Sequence, residues 1–316
     1  MKETSISKVG IIGAGYVGAT FAYTLVVKGL INEIVLVDIK KDKAEGEALD
    51  VAQSISYNIP TTISAGDYAD LKDAEIVIIS AGASQKEGET RLDLAKKNTE
   101  ITRTIVENLK EHNQDCILLM TTNPVDVLTY AAQRYSGFPK NKVIGSGTTL
   151  DTSRLRQEIG RHCGVDPRNV HGYILGEHGD SEVPIWSGLR IGGMKFREFC
   201  ERCESVCQPE KEMRQIFEKV KNSAYEIIEK KSATYYAIAY GLMTIVQAVI
   251  RNQNTVLPVS VFIEDFYGEK DFCFSLPALI GRSGVKRILD IPLEKDEINK
   301  LKHSAGVLKS HTAEFI

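Results

Sequence analysis

The sequence has little cysteine, little net charge and no long apolar run, and each shortage removes a class of protein. Six cysteines among 316 residues are too few for a disulfide framework and suit reduced thiols in a cytosol. Thirty-nine Lys and Arg against 42 Asp and Glu leave a net charge of −3, so no basic field exists to hold nucleic acid or an anionic membrane. The segment Met1 to Lys8 lacks the apolar stretch of about 7–15 residues that a signal peptide needs, and the one later uncharged span of about 18 residues, Ser232 to Ile250, is interrupted by Ser, Thr, Tyr and Gln and is not the uniformly apolar run of a membrane span. A cytoplasmic protein is the expectation. Nine prolines, 43% hydrophobic and 26% charged residues describe a chain able to bury a large core. Cys200, Cys203 and Cys207 are spaced as one helix face, but a fourth metal ligand is missing, so packing and no metal is expected there.

Length predicts two domain-sized units. In the first half, short β-branched runs alternate with helix-like segments: Lys8 to Ile12, Ile34 to Val37, Ile76 to Ile79, Cys116 to Met120 and Val143 to Ile144, with a weaker strand candidate at Thr61 to Ser64. Runs apolar on both faces suit central strands of a parallel sheet with helices on either side, the doubly wound α/β arrangement. The second half reads as α+β. Met213, Ile216, Phe217, Val220, Ala224 and Ile227 follow a helical period, as do Ile298, Leu301, Ala305 and Leu308. Between them lie an apolar helix, Tyr235 to Ile250, and strand candidates at Val256 to Ile263 and Phe272 to Phe274. The boundary falls near Gly145-Ser146-Gly147, giving an expected dinucleotide-binding domain over 1–146 and a substrate domain over 147–316.

Gly13-Ala14-Gly15-Tyr16-Val17-Gly18 follows the first strand and opens a helix-like segment. Gly13 permits the tight turn, Gly15 lets a pyrophosphate approach the backbone, and Gly18 allows close helix–strand contact, while the helix N-terminus offers unpaired amides to the anion. Asp38 stands twenty residues after Gly18, at the end of the second strand. A carboxylate there accepts hydrogen bonds from ribose hydroxyls and repels a 2′-phosphate, so NAD is favoured over NADP.

Further on, Gly176-Glu177-His178-Gly179-Asp180-Ser181 sets a histidine just after the strand-like Val170 to Leu175. Histidine titrates near neutrality and can exchange a proton as a hydride moves to or from the same carbon. Asp151 and Arg154, three residues apart, share one side of a helical turn. Asp151 can hold the imidazole and stabilise its cation, leaving Arg154 to grip a substrate carboxylate bidentately.

Together with the glycine motif, these residues resemble the L-lactate/malate dehydrogenase family from about residue 8 to the C-terminus, and the bacterial lactate dehydrogenase branch most. The resemblance implies that His178 is the acid/base, Asp151 its partner and Arg154 the carboxylate anchor. It also implies that Asn123, in Thr122-Asn123-Pro124-Val125-Asp126, hydrogen-bonds near the reacting centre and cofactor, with a cis peptide before Pro124. Thr234 is implied in the substrate pocket, and Tyr16, Val17 and Ile238 beside the cofactor. The polar segment Ser84 to Leu92 resembles the family's mobile lid, whose closure brings Arg91 to the substrate carbonyl oxygen.

Gln85 stands where malate dehydrogenases of this family carry an arginine for the second substrate carboxylate. A neutral amide cannot neutralise that charge, so pyruvate and L-lactate are the expected substrate pair, the handedness being inherited from the family. Malate dehydrogenase, or a related L-2-hydroxyacid dehydrogenase accepting longer side chains, is the alternative. Arg156 and His171 match positions that bind fructose 1,6-bisphosphate at a subunit interface in allosteric bacterial members, which implies that effector and a homotetramer. Glu87 replaces a common proline, and Ser232 departs from a common Lys-Gly-Ala-Thr.

Overall fold

The structure, a computed structural model, describes residues 7–57, 59–83, 91–202 and 208–315. Through the first half, β1 (Lys8–Ile12), α1 (Tyr16–Lys28), β2 (Glu33–Val37), α2 (Lys41–Gln53), β3 (Thr62–Ala65), β4 (Ile76–Ile79), α3 (Arg91–His112), β5 (Ile117–Met120), α4 (Val125–Ser136) and β6 (Val143–Gly145) alternate. All four residues of β4 and of β5 are buried, which requires helices on both faces. On α1, Gly18, Phe21, Ala22, Leu25 and Val26 turn one stripe inward, and Gly29 ends the helix in the left-handed conformation.

The second half comprises α5 (Thr149–Cys163), β7 (Val170–His171), β8 (Ile174–Leu175), β9 (Val183–Pro184), β10 (Arg190–Ile191), β11 (Met194–Lys195), α6 (Phe196–Glu201), α7 (Pro209–Lys231), α8 (Tyr236–Ile250), β12 (Thr255–Ile263), β13 (Phe272–Gly281), β14 (Gly284–Ile288) and α9 (Lys295–Phe315). A nine-stranded sheet runs β14-β13-β12-β6-β5-β4-β1-β2-β3. Its first six strands in sequence pair in parallel, and the order reverses between β1 and β4. Open α/β sheets bind ligands beyond the carboxyl ends of their strands at such a switch point.

The sheet continues past residue 146: β12 joins β6 antiparallel, with Ser260 opposite Gly145, and β13 and β14 extend it. The strand-like stretch Val170 to Leu175 is not one strand. It divides at Gly172 into β7, in a small sheet with β10 and β11, and β8, paired with β9. A side chain at Gly172 would press on Leu189, 2.8 Å from its Cβ position, so this is where the backbone turns from one sheet to the other. β13 reaches Gly281, well beyond the expected Phe274, because it pairs along the whole of β12. Cys200 is buried with Phe196, Ile216 and Val220, while Cys203 and Cys207 lie outside the described residues. Among the described residues no helix is long and apolar enough to cross a membrane, and no group of three His, Cys, Asp or Glu could hold a metal ion.

Candidate active site

The glycine turn joins β1 to α1 at the switch point. Gly13 has φ 106°, and a Cβ there would sit 2.5 Å from the Ala81 backbone nitrogen. At Gly18 a Cβ would meet the Gly13 carbonyl oxygen at 1.9 Å, so only glycine lets the helix approach the turn. Gly15 differs: a Cβ there meets nothing within 4 Å, which leaves an open approach to the backbone at the N-terminus of α1.

Asp38, directly after β2, accepts one hydrogen bond per oxygen, from the Ala14 amide to Oδ2 and the Lys40 amide to Oδ1, both at 2.8 Å. Each oxygen keeps acceptor capacity for a ribose hydroxyl. The open backbone at Gly15 and this oriented carboxylate fit NAD. Tyr16 is 71% exposed and stacks on Tyr235 at 5.3 Å, while Val17 packs inward. Ile238 lies on α8, which packs against α1, and half-buried Thr234 precedes that helix.

A cavity of about 660 Å³ holds the second group of expected residues: Asn123, Asp151, Arg154 and His178 all line it. His178 Nδ1 lies 2.5 Å from Asp151 Oδ2, and Arg154 Nη1 donates to Asp151 Oδ1 at 2.9 Å. One carboxylate therefore holds both cations, with side-chain exposures of 5% for Asp151, 12% for Arg154 and 24% for His178. Asp151 is buried in the first turn of α5, where the helix dipole favours an anion. Thr234 and Ile238 are not among the residues lining this cavity.

Charge settles the histidine tautomer. Burial pushes the Asp151 carboxyl up, but His178 and Arg154 outweigh it and leave its pKa below the ordinary value. An ionised carboxylate can only accept, so Nδ1 carries a proton and Nε2, across the ring, is left for a substrate. Burial likewise opposes the charged imidazole, yet Asp151, with smaller help from Asp126 and Glu182, raises His178 to about 9. Glu182, also on the cavity wall, is pushed to about 8 by burial and then by the Asp151 charge.

The residues around His178 form a brace that local patterns did not reveal. The Ser304 hydroxyl, on α9, accepts from the Glu177 amide at 3.0 Å and lies 2.9 Å from Ser181 Oγ, which donates to Glu177 Oε2. Asn98, buried on α3, accepts from the Ala83 amide at 2.8 Å through Oδ1 and donates to the Asn123 carbonyl at 3.0 Å through Nδ2. It thereby ties the root of the expected lid to the loop carrying Asn123. The Asn123–Pro124 peptide is cis. Gln85 and the side chain of Arg91 lie outside the described residues; Arg91 opens α3. A larger cavity, about 1070 Å³, shares Ser181, Glu182 and His303 with this one but does not include His178.

Away from the cavity, Arg156 donates from Nε and Nη2 to the Gly172 carbonyl at 3.2 and 3.1 Å, and His171 is exposed on β7. Arg156 is thus held by its own chain, one residue beyond His171.

Comparison with known proteins agrees with this geometry. The model for the lactate/malate dehydrogenase NAD binding domain matches residues 7–145, and that for the lactate/malate dehydrogenase alpha/beta C-terminal domain matches 148–315. The L-lactate dehydrogenase of Acetivibrio thermocellus is 50% identical over 304 residues, 96% of each chain. That of Thermoanaerobacterium saccharolyticum is 50% identical over 303 residues, 96% of this chain and 97% of its own. Among solved structures, a lactate dehydrogenase from a Medee basin deep-sea metagenome library superposes with TM-score 0.95 at 43% identity, covering 98% of both chains. The ligand-bound minor L-lactate dehydrogenase of Enterococcus mundtii gives 0.94 at 43% identity, over 97% of this chain and 98% of its own. A glycine turn that excludes any side chain, an aspartate poised for ribose, and one carboxylate shared by a histidine and an arginine thus sit in a chain that belongs to the lactate/malate dehydrogenase family and is an NAD-dependent oxidoreductase.

Proposed function

We propose that the chain is an L-lactate dehydrogenase, converting pyruvate, NADH and a proton reversibly into L-lactate and NAD. The observation that carries this reading is that His178 and Arg154 line one cavity and meet on the same Asp151 carboxylate. Bound NADH supplies the hydride. Arg154 pairs with the substrate carboxylate, and Asn123 and Arg91 hold the carbonyl oxygen, where positive charge and donors stabilise a developing alkoxide. His178 delivers the proton from Nε2, and Asp151 keeps the imidazole in the tautomer and charge state that can do so. The same reading gives Thr234, which stands outside the lining of that cavity, to the substrate side, and Tyr16, Val17 and Ile238 to the cofactor. In the reverse direction neutral His178 takes the hydroxyl proton of lactate.

Gln85 supplies the discrimination among oxo-acids. Leaving a second carboxylate unpaired in an enclosed site costs several kcal/mol, and each ~1.36 kcal/mol is tenfold in rate, so pyruvate outruns oxaloacetate by roughly a thousandfold. The domain division at 146/147 and a cytoplasmic location belong to the same reading.

Activation by fructose 1,6-bisphosphate and a homotetramer are its further parts. Support for the effector comes from the Arg156 guanidinium, which the Gly172 carbonyl holds one residue along the chain from the exposed His171. Support for self-association comes from exposed Tyr23 and Val27 on α1, Leu49 on α2, and Tyr236 and Tyr240 on α8. NADH oxidation followed by absorbance with pyruvate, oxaloacetate and a longer 2-oxo acid, each with and without the bisphosphate, tests every part. Faster turnover of either rival acid overturns the substrate, and superimposable pyruvate saturation curves end the effector.

A further inference from the structure

His178 is held at both ends. Asp151 takes the imidazole, and a second carboxylate takes the main chain: Asp126 Oδ2 accepts the His178 amide at 2.7 Å. Asp126 lies in the first turn of α4, three residues after Asn123, and is buried to 2% exposure. Ser275 Oγ is 3.5 Å from its other oxygen, and Ser260 is the cross-strand neighbour of Ser275. Among the described residues no arginine or lysine is paired with this buried carboxylate; its short bond is to the peptide of the histidine. Burial pushes it up, to about 6, so it is still ionised at neutral pH.

The rest of the loop is anchored independently. Gly176 exchanges backbone hydrogen bonds with Ser275 at 3.0 and 3.1 Å, and the Glu177 amide donates to Ser304. The amide of residue 178 is therefore the next attachment along the chain, and it is made to α4, whose preceding loop carries Asn123. The short stretch from Asn123 into the first turn of α4 therefore sets the distance between the residue that meets the substrate oxygen and the backbone of the residue that protonates it.

We propose that Asp126 is a positioning residue for His178: by fixing the histidine main chain from α4 it keeps Nε2 in register with Asn123, and its charge adds to that of Asp151 in supporting the imidazolium. This rests on the reading of His178 as the acid/base. Other charged and titratable groups face the pair from each neighbouring element: Asp151 and Arg154 from α5, Glu177 and Glu182 from the loop, Cys273 from β13, Lys221 from α7 and His303 from α9. Among the described residues, none of these groups accepts from the His178 amide; Asp126 does.

Asp126→Ala removes acceptor and charge, whereas Asp126→Asn keeps an acceptor and removes only the charge. Both are measured beside wild type and His178→Gln for pyruvate reduction, with NADH affinity by fluorescence and kcat/KM followed across pH. Since misplacement by about 1 Å costs roughly a hundredfold, kcat of Asp126→Ala is expected to fall by about that factor with NADH affinity held within about twofold. Asp126→Asn is expected to recover at least about tenfold over the alanine variant, while the pH at which kcat/KM falls moves down by at least about half a unit, because a negative charge near the imidazolium is gone. An alanine variant within about threefold of wild type, an asparagine variant no faster than alanine, or an unmoved pH limb in Asp126→Asn overturns the proposal. If Asp126→Ala does not fold, the limb of Asp126→Asn alone decides. A His178→Gln protein as fast as wild type overturns the acid/base reading, and the proposal falls with it; a dead His178→Gln beside an unaltered Asp126→Ala overturns the proposal alone.

Discussion

Replacing Asp151 with asparagine leaves the cavity's shape nearly intact and removes the charge that holds His178 as a cation. The imidazole stands at about 9 with the carboxylate 2.5 Å away, against burial that by itself pulls it below its ordinary 6.5. Without that charge it should titrate at or below about 6.5. At about pH 7.5 the protonated fraction then drops from roughly 97% to at most roughly 9%, a loss of at least about tenfold in pyruvate reduction. The ratio of wild-type to variant kcat/KM is close to one from this cause at about pH 6 and exceeds roughly a hundredfold at about pH 9. A constant factor multiplies the whole curve, because an amide can present its NH₂ to Nδ1 and favour the wrong tautomer, and because Arg154 loses its ionic partner. Lactate oxidation needs the neutral imidazole, so its rate rises with pH, through about 9 in wild type and through the lower value in the variant. The assay is initial rate in both directions from pH 6 to 9. A wild-type to variant ratio that stays flat over this range would refute the assignment of Asp151 as the source of the raised histidine.

Other outcomes follow from single positions. Gly18→Ala drives a methyl against the Gly13 carbonyl oxygen and should destabilise the fold by more than about 3 kcal/mol, whereas Gly15→Ala meets no protein atom within 4 Å. The Gly15 variant should therefore keep its Tm and lose at least about tenfold in NADH affinity by calorimetry; equal losses of Tm contradict the division of labour. Gln85→Arg should shift the ratio of kcat/KM for oxaloacetate over pyruvate upward by at least about a hundredfold, and an unchanged ratio means that residue 85 does not face the methyl end of the substrate. Ser232, the departure from the family's common glycine, caps α7 with φ 71°, a left-handed conformation costly to a side chain. Ser232→Gly should raise stability by up to about 1 kcal/mol, about 2 °C in Tm, with no gain in Ser232→Ala.

The nucleotide half of the site was legible because its chemistry is local. Gly13 and Gly18 act through steric limits on a single turn, Gly15 leaves the backbone open beside it, and Asp38 follows from the length of one βαβ unit. The types of the reactive residues were legible too, since Asp151 and Arg154 share a helical turn and His178 stands in a distinctive loop. Their convergence was not, because a 27-residue separation between Asp151 and His178 carries no periodicity that says the side chains meet. The same holds for Asp126 and His178, 52 residues apart, and for Ser304, which reaches Glu177 across 127.

The strand reading failed where a similar reason applies. Val170 to Leu175 looks continuous by composition, but Gly172 passes close to Leu189, and the two halves find different partners. What the sequence alone determined was the parallel sheet and the turn that admits a dinucleotide; the residues proposed to move a proton and hold an acid were named from it too. Which carboxylate holds which end of the histidine was decided only by the tertiary structure, in which β12 joins β6, β13 joins β12 and the loop at residue 178 lies against α4, since charge pairing depends on distances through space that backbone-local preferences do not encode.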